Sequence, residues 1–141
     1  MNEKLKLIKY NRKNTKMRQD KEPTIRFHVN GGINLSKVCM KKTGLQVGDR
    51  IEFLQDEKDK AAWYIGKSFD GEGFEIREMN KKSSSVHYQV NSAYLAKAVI
   101  KSLNLDARSV GFKVSSNPIQ HGGKELFFII TSEPYIKTVK S

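Results

Sequence analysis

An eleven-residue stretch of this chain is matched in kind by another sixty positions later. Residues 35–45 read Leu-Ser-Lys-Val-Cys-Met-Lys-Lys-Thr-Gly-Leu, and residues 95–105 read Leu-Ala-Lys-Ala-Val-Ile-Lys-Ser-Leu-Asn-Leu. Leu35, Lys37, Lys41 and Leu45 recur as Leu95, Lys97, Lys101 and Leu105, and Val38, Cys39 and Met40 are answered by Ala98, Val99 and Ile100. Apolar residues at i, i+3 and i+4 predict a short helix with one buried face, and the lysines fall on the other side. Gly44 and Asn104 are the residue types that most readily adopt the left-handed turn ending a helix. Asn34 and Ser92 stand where caps belong.

The flanks repeat in kind. Residues 24–29 (Thr-Ile-Arg-Phe-His-Val) and 86–91 (Val-His-Tyr-Gln-Val-Asn) alternate as half-buried strands do. After the helices come strands at 50–54 and 110–114, then further apolar strands at 62–65 and 126–131. Residues 5–10 would open the first copy as residues 74–79 open the second. The expected fold is therefore β-rich α+β. It is a small barrel from a duplicated strand-strand-helix-strand-strand unit with pseudo-twofold symmetry. Residues 1–23 would be a basic segment, 24–68 the first repeat, 69–131 the second repeat in one domain with it, and 132–141 a tail. The same spacing predicts burial of Leu35, Val38, Cys39, Leu95, Ala98, Val99, Ile51, Phe53, Phe112 and Val114. The run at 126–130 lacks alternation and should be covered on both faces.

Lys and Arg number 26 against 15 Asp and Glu, a net charge of +11, which favours an anionic partner. Five cations fall within residues 12–21 (Arg12, Lys13, Lys16, Arg18 and Lys21), where they repel one another without a partner. No apolar run approaches the ~20 residues of a membrane span, and the basic N-terminus lacks a signal core. The single cysteine, Cys39, cannot form an intrachain disulfide and suits a reducing cytoplasm.

Residues 40–53, Met-Lys-Lys-Thr-Gly-Leu-Gln-Val-Gly-Asp-Arg-Ile-Glu-Phe, resemble the helix–turn–strand of the AbrB-type swapped-hairpin, or cradle-loop-barrel, proteins. In that family a short helix with paired basic residues ends in a Gly-apolar turn, followed by Gly-Asp and a strand. The resemblance covers about fifteen residues. It implies a barrel of interleaved hairpins that binds double-stranded DNA through basic residues of a loop and the helix, in transcription regulators or antitoxins. Family members usually carry one unit per chain; here both would lie in one chain. The second copy has Asp106-Ala107-Arg108-Ser109 in place of the Gly-Asp turn, and Pro23-Thr24-Ile25-Arg26 stands where the family has a Gly-Arg entry.

The residues expected to meet DNA are Arg12, Lys13, Lys16, Arg18, Arg26, Lys37, Lys41, Lys42, Lys97 and Lys101. As long, flexible cations they suit phosphates. Aromatics are not interleaved with the loop cluster, so duplex contact is favoured over single-strand stacking. His28, His87 and His121 show no metal-ligand spacing, and Gly31-Gly32 lacks the rest of a phosphate loop. No catalytic residue, cofactor or metal is expected. The competing reading is a protein-interaction or structural module of a mobile element. Phe127 and Phe128 would then meet a protein partner or a second copy.

Overall fold

In the computed structural model of the chain, residues 22–79 and 87–136 are described. The expected strand at 5–10 lies outside the described residues, as does the basic cluster from Arg12 to Lys21. Pro23, which has no N–H to donate, stands ahead of β1 (Thr24–His28). Gly31, at φ 113°, turns the chain back into β2 (Gly32–Leu35), pairing Ile25 with Leu35 and Phe27 with Ile33. Then follow α1 (Lys37–Thr43), β3 (Arg50–Gln55), β4 (Trp63–Lys67), β5 (Phe74–Glu75), β6 (Arg77–Met79), β7 (His87–Asn91), α2 (Ala93–Ser102), β8 (Ser109–Val114), β9 (Ile119–His121) and β10 (Lys124–Ile136).

Every strand pairing is antiparallel, in the order β5-β3-β4-β10-β8-β1-β2-β7-β6, with β9 paired to β10. The two ends of this path are neighbours in the chain. Only Ile76 separates β5 from β6, and it exchanges hydrogen bonds with the loop before β3: its N–H donates to Asp49 O (2.9 Å) and its carbonyl accepts from Gly48 N (2.9 Å). The result, among the described residues, is a nearly closed antiparallel barrel with two helices.

Alternation fills the barrel. Ile25 and Phe27, Ile33 and Leu35, Val110 and Phe112, and Phe127 and Ile129 point inward from neighbouring strands and are buried. Helix α1 adds Cys39 and Met40, and α2 adds Ala96, Val99 and Ile100. The Trp63 indole donates to Ser102 Oγ (2.9 Å), tying the end of α2 to the start of β4. No helix among the described residues is long and apolar enough to cross a membrane.

Several expectations need correction. The first helix begins two residues later than its apolar spacing predicts, because Leu35 ends β2. Its cap is Ser36 rather than Asn34, while Ser92 caps α2 as expected. The two caps stand 56 positions apart, whereas Gly44 and Asn104, both left-handed, stand 60 apart. The sixty-residue match thus aligns the ends of the helices; α2 starts about one turn earlier relative to that match. The strand that enters α1 is β2, so β1 is one strand further from the helix than its likeness to residues 86–91 implied. Val38 is half-buried, and so are Leu95, Ala98 and Phe53, the last three packed against the core. Past Thr131 the chain continues as β10 to Ile136, with a register shift between Ile130 and Tyr135 where Pro134 cannot donate.

Ser36 holds a junction. Its Oγ accepts from Cys39 N (3.0 Å) in the first turn of α1 and from Thr24 N (3.0 Å) at the start of β1. Ser36→Ala should cost about 1–2 kcal/mol, the upper part of the range for a cap, since two amides lose their acceptor. Urea unfolding is the check; a cost near zero would mean that water replaces both bonds.

Candidate functional site

The lysines fall where helical geometry puts them. Burying Cys39 and Met40 turns Lys37, Lys41 and Lys42 outward on α1. Burying Ala96, Val99 and Ile100 does the same for Lys97 and Lys101, four residues apart on one face of α2. All five are exposed. Lys41, Lys42 and Lys101 also lie in last turns, where a cation complements the helix dipole. Ion pairs among the described residues join Lys67 to Asp49 (3.5 Å), Lys113 to Glu22 (3.4 Å) and Lys124 to Glu52. None of the five helix lysines takes part in one.

Arg26 is placed differently. It points outward from β1 and lies along the sheet, where Nη1 donates to Ser109 Oγ (2.9 Å) on β8. Its guanidinium covers Gly111; a Cβ there would come within 2.9 Å of Nη2. Partial burial lowers its pKa from the ordinary value. Arg12, Lys13, Lys16 and Arg18 lie outside the described residues.

Sequence reasoning missed the neighbours of Arg26. Cross-strand register aligns Arg77 with Gln89, Gln89 with Asn34, and Asn34 with Arg26, across β6, β7, β2 and β1. The amides are chained. Asn91 Nδ2 donates to Gln89 Oε1 (3.1 Å), Gln89 Nε2 to Asn34 Oδ1 (2.8 Å), and Asn34 Nδ2 meets His28 Nε2 (3.1 Å). Gly32 makes room, since a Cβ there would lie 3.0 Å from Gln89 Nε2. The outward positions of these four strands hold no carboxylate. Eight of the chain's 15 acidic residues instead fall within residues 49–75, on β3 to β5 and their loops.

Other candidates resolve into structure. Phe127 is buried in the core and Phe128 packs on Tyr64, ring centroids 5.2 Å apart. Of the two residues expected to meet a partner, Phe127 thus belongs to the core, while Phe128 is half-buried on the outer face of β10 beside Tyr64. The large exposed apolar side chains lie elsewhere, Tyr94 (85%) at the start of α2 and Phe69 (71%) foremost. Phe69 rims a hollow of about 190 Å³ beside Leu45, Ile65, Lys124 and Phe127. His121 is exposed on the β9–β10 hairpin, and no group of three or more His, Cys, Asp or Glu able to hold a metal occurs among the described residues.

Cys39 is fully buried, and that burial pushes its thiol up to about 12. The native protein should therefore resist a thiol reagent such as iodoacetamide at pH 8 and take up one equivalent once unfolded. Rapid alkylation of the folded chain would contradict the burial.

Compared with protein-family models, with curated proteins and with solved structures, the chain matches none.

Proposed function

We propose that this protein binds double-stranded DNA, as a transcription regulator or antitoxin does, and is a single-chain relative of the AbrB-type swapped-hairpin domains. One observation carries the reading: five exposed lysines on two helices have no carboxylate partner among the described residues, in a chain of net charge +11. Phosphates are the partners such cations fit. The gathering of eight of the 15 acidic residues within residues 49–75 supports it further, because the outward positions of β1, β2 and β7 are left without a carboxylate. On this reading the protein works in the cytoplasm, where a reduced Cys39 is the ordinary state.

The family relation and the duplication are part of the proposal. Gly44 and Gly48 take left-handed conformations (φ 77° and 93°), and Asp49 Oδ2 accepts from Gln46 N (2.9 Å), which gives the Gly-Leu and Gly-Asp positions of the resembling stretch a physical role. The strand order favours two copies of one unit. Exchanging β1 with the β5–β6 strand, β2 with β7, β3 with β8 and β4 with β10 returns the same cyclic order. A pseudo-twofold axis would then pass between β2 and β7.

The test is binding of a fluorescent 20-base-pair duplex by the full chain between about 0.05 and 0.3 M salt. The log of the affinity should fall linearly with log salt. Replacing Lys37, Lys41, Lys42, Lys97 and Lys101 with Ala should flatten the slope by roughly 0.9 for each phosphate contact removed. Changing Arg12, Lys13, Lys16 and Arg18 to Ala should act the same way and weaken binding to all duplexes alike. No binding at low salt would end this reading. It would leave the second, a protein-interaction module, which the exposed Phe69 beside its hollow favours; its association would change little with salt.

A further inference from the structure

We propose that the outer face of β6–β7–β2–β1 reads base edges in the major groove of duplex DNA, with Asn34 and Gln89 at its centre and Arg77 and Arg26 at its flanks. This rests on the DNA-binding reading above and adds the surface that tells one sequence from another. Lysine contacts to phosphates position a protein but carry no sequence information. Bases are read chiefly by side chains that reach two groove atoms at once: Asn or Gln on adenine, Arg on guanine. Those are the side chains that the register lines up here, one per strand, as Arg77, Gln89, Asn34 and Arg26.

The central pair suits a groove. Neighbouring strands lie about 4.8 Å apart, and the major groove, about 12 Å wide, admits a two-stranded ribbon; the four-strand row spans roughly 14 Å, so its two ends lie over the groove's edges. A barrel's outer face curves away from its middle. The central pair β2–β7 therefore goes in first, and the arginines follow at the groove's two sides, Arg26 exchanging its bond to Ser109 Oγ for the base.

The amides are held in place and keep spare capacity. Asn34 and Gln89 each use one amide hydrogen and one oxygen lone pair within the chain from Asn91 to His28. Each retains one donor and one acceptor site, the combination that adenine requires. The hydrogen bonds between them fix their orientation before DNA arrives, which reduces the ordering cost of binding. The occupant is set by charge: the outward positions of these strands hold no carboxylate, in a chain of +11.

The experiment is selection by the full chain, at about 0.1 M salt, from a pool of duplexes with a 20-base-pair random core. The parent should enrich a site with adenines at its centre and guanines on opposite strands at its flanks. The Asn34→Thr/Gln89→Thr variant keeps residues suited to strands. It should bind unselected duplexes within about threefold of the parent, yet lose about tenfold or more of the preference for the enriched site. Arg77→Gln alters only an exposed side chain and serves if the double variant is unstable; it should relax the flanking position alone. The Lys41→Ala/Lys42→Ala variant should do the opposite, losing affinity and keeping the preference. A double variant that enriches the parent's site overturns the inference. So does a parent that binds the pool without enriching any site, which leaves the phosphate-binding reading standing. A parent that binds no duplex even at low salt overturns both.

Discussion

Phe27→Ala should destabilise the protein by about 3–5 kcal/mol, a large part of the 5–15 kcal/mol that typically holds a domain together. Phe27 is fully buried, and its ring meets Phe53 and Phe112 edge-on, with centroids 6.0 and 5.9 Å away and interplanar angles of 64° and 62°. Truncation removes the ring's burial, two aromatic contacts worth about 0.5–1.5 kcal/mol each, and the packing of strands that cannot close over the gap. β1 is bonded to β2 on one side and β8 on the other, so the backbone around the cavity is fixed. Leu35→Ala should cost about 2–5 kcal/mol for the same reason. Leu95→Ala should cost clearly less, because Leu95 is half-exposed on α2 and its removal leaves a dent rather than a cavity. Urea midpoints of the three variants check the order. A Phe27→Ala cost under about 1 kcal/mol would mean that the barrel interior repacks freely.

What could be read from the residues alone was local. Alternation marked β1, β3, β7 and β8, and Gly44 and Asn104 marked the left-handed turns ending the helices, because each of these signals acts within a few residues. Leu35 misled for a physical reason. It satisfies the i, i+3, i+4 spacing with Val38 and Cys39 and also the two-residue alternation with Ile33, and short apolar runs fit both periods. Ser36 held the deciding information, since its hydroxyl caps the helix and so sets where the strand must end. The split of one strand at Ile76 into two pairing segments had no signal in composition or period. It depends on β3 and β7, which lie far apart in the chain, reaching it from two sides. The candidate site divides the same way. Outward lysines follow from which helix face is apolar. The alignment of Arg77, Gln89, Asn34 and Arg26 follows from cross-strand register, which sets Gln89 between Arg77, 12 positions before it, and Asn34, 55 positions before it; no pattern within a single strand encodes it.

Closure of the barrel should depend on Gly73 more than on Gly66, although Gly66 sits in the more central strand. A Cβ at Gly73 would meet Ser68 Cβ at 2.6 Å and Ile51 O at 2.7 Å. Neither neighbour can move alone. Ile51 is a fully buried residue of β3, and Ser68 is buried with its N–H donating to Arg50 O (2.7 Å). The chain at Gly73 must shift instead. That shift pulls on the Arg50–Glu75 and Ile51–Phe74 pairs and on the bond from Arg50 Nη1 to Gly73 O (3.0 Å), the contacts that hold β5 to β3. A Cβ at Gly66 would meet Leu126 Cδ2 at 2.7 Å, the end of a side chain that can rotate, and Glu125 O only at 3.2 Å. Neither glycine has a positive φ, so alanine also gains about 0.4–1 kcal/mol at both by restricting the unfolded chain. Overpacking of about 1–3 kcal/mol outweighs that gain where the neighbours are backbone and roughly cancels it where a leucine can turn aside. Gly73→Ala should therefore be destabilised by about 1–3 kcal/mol, and Gly66→Ala should lie within about 1 kcal/mol of the parent. Hydrogen exchange locates the effect: in Gly73→Ala the amides of β5 and of Ile76 should exchange faster, while those of β4 and β10 stay protected. Equal midpoints for the two variants, or faster exchange spread over the whole sheet, would show that the β3–β5 contact is not the seam on which closure depends.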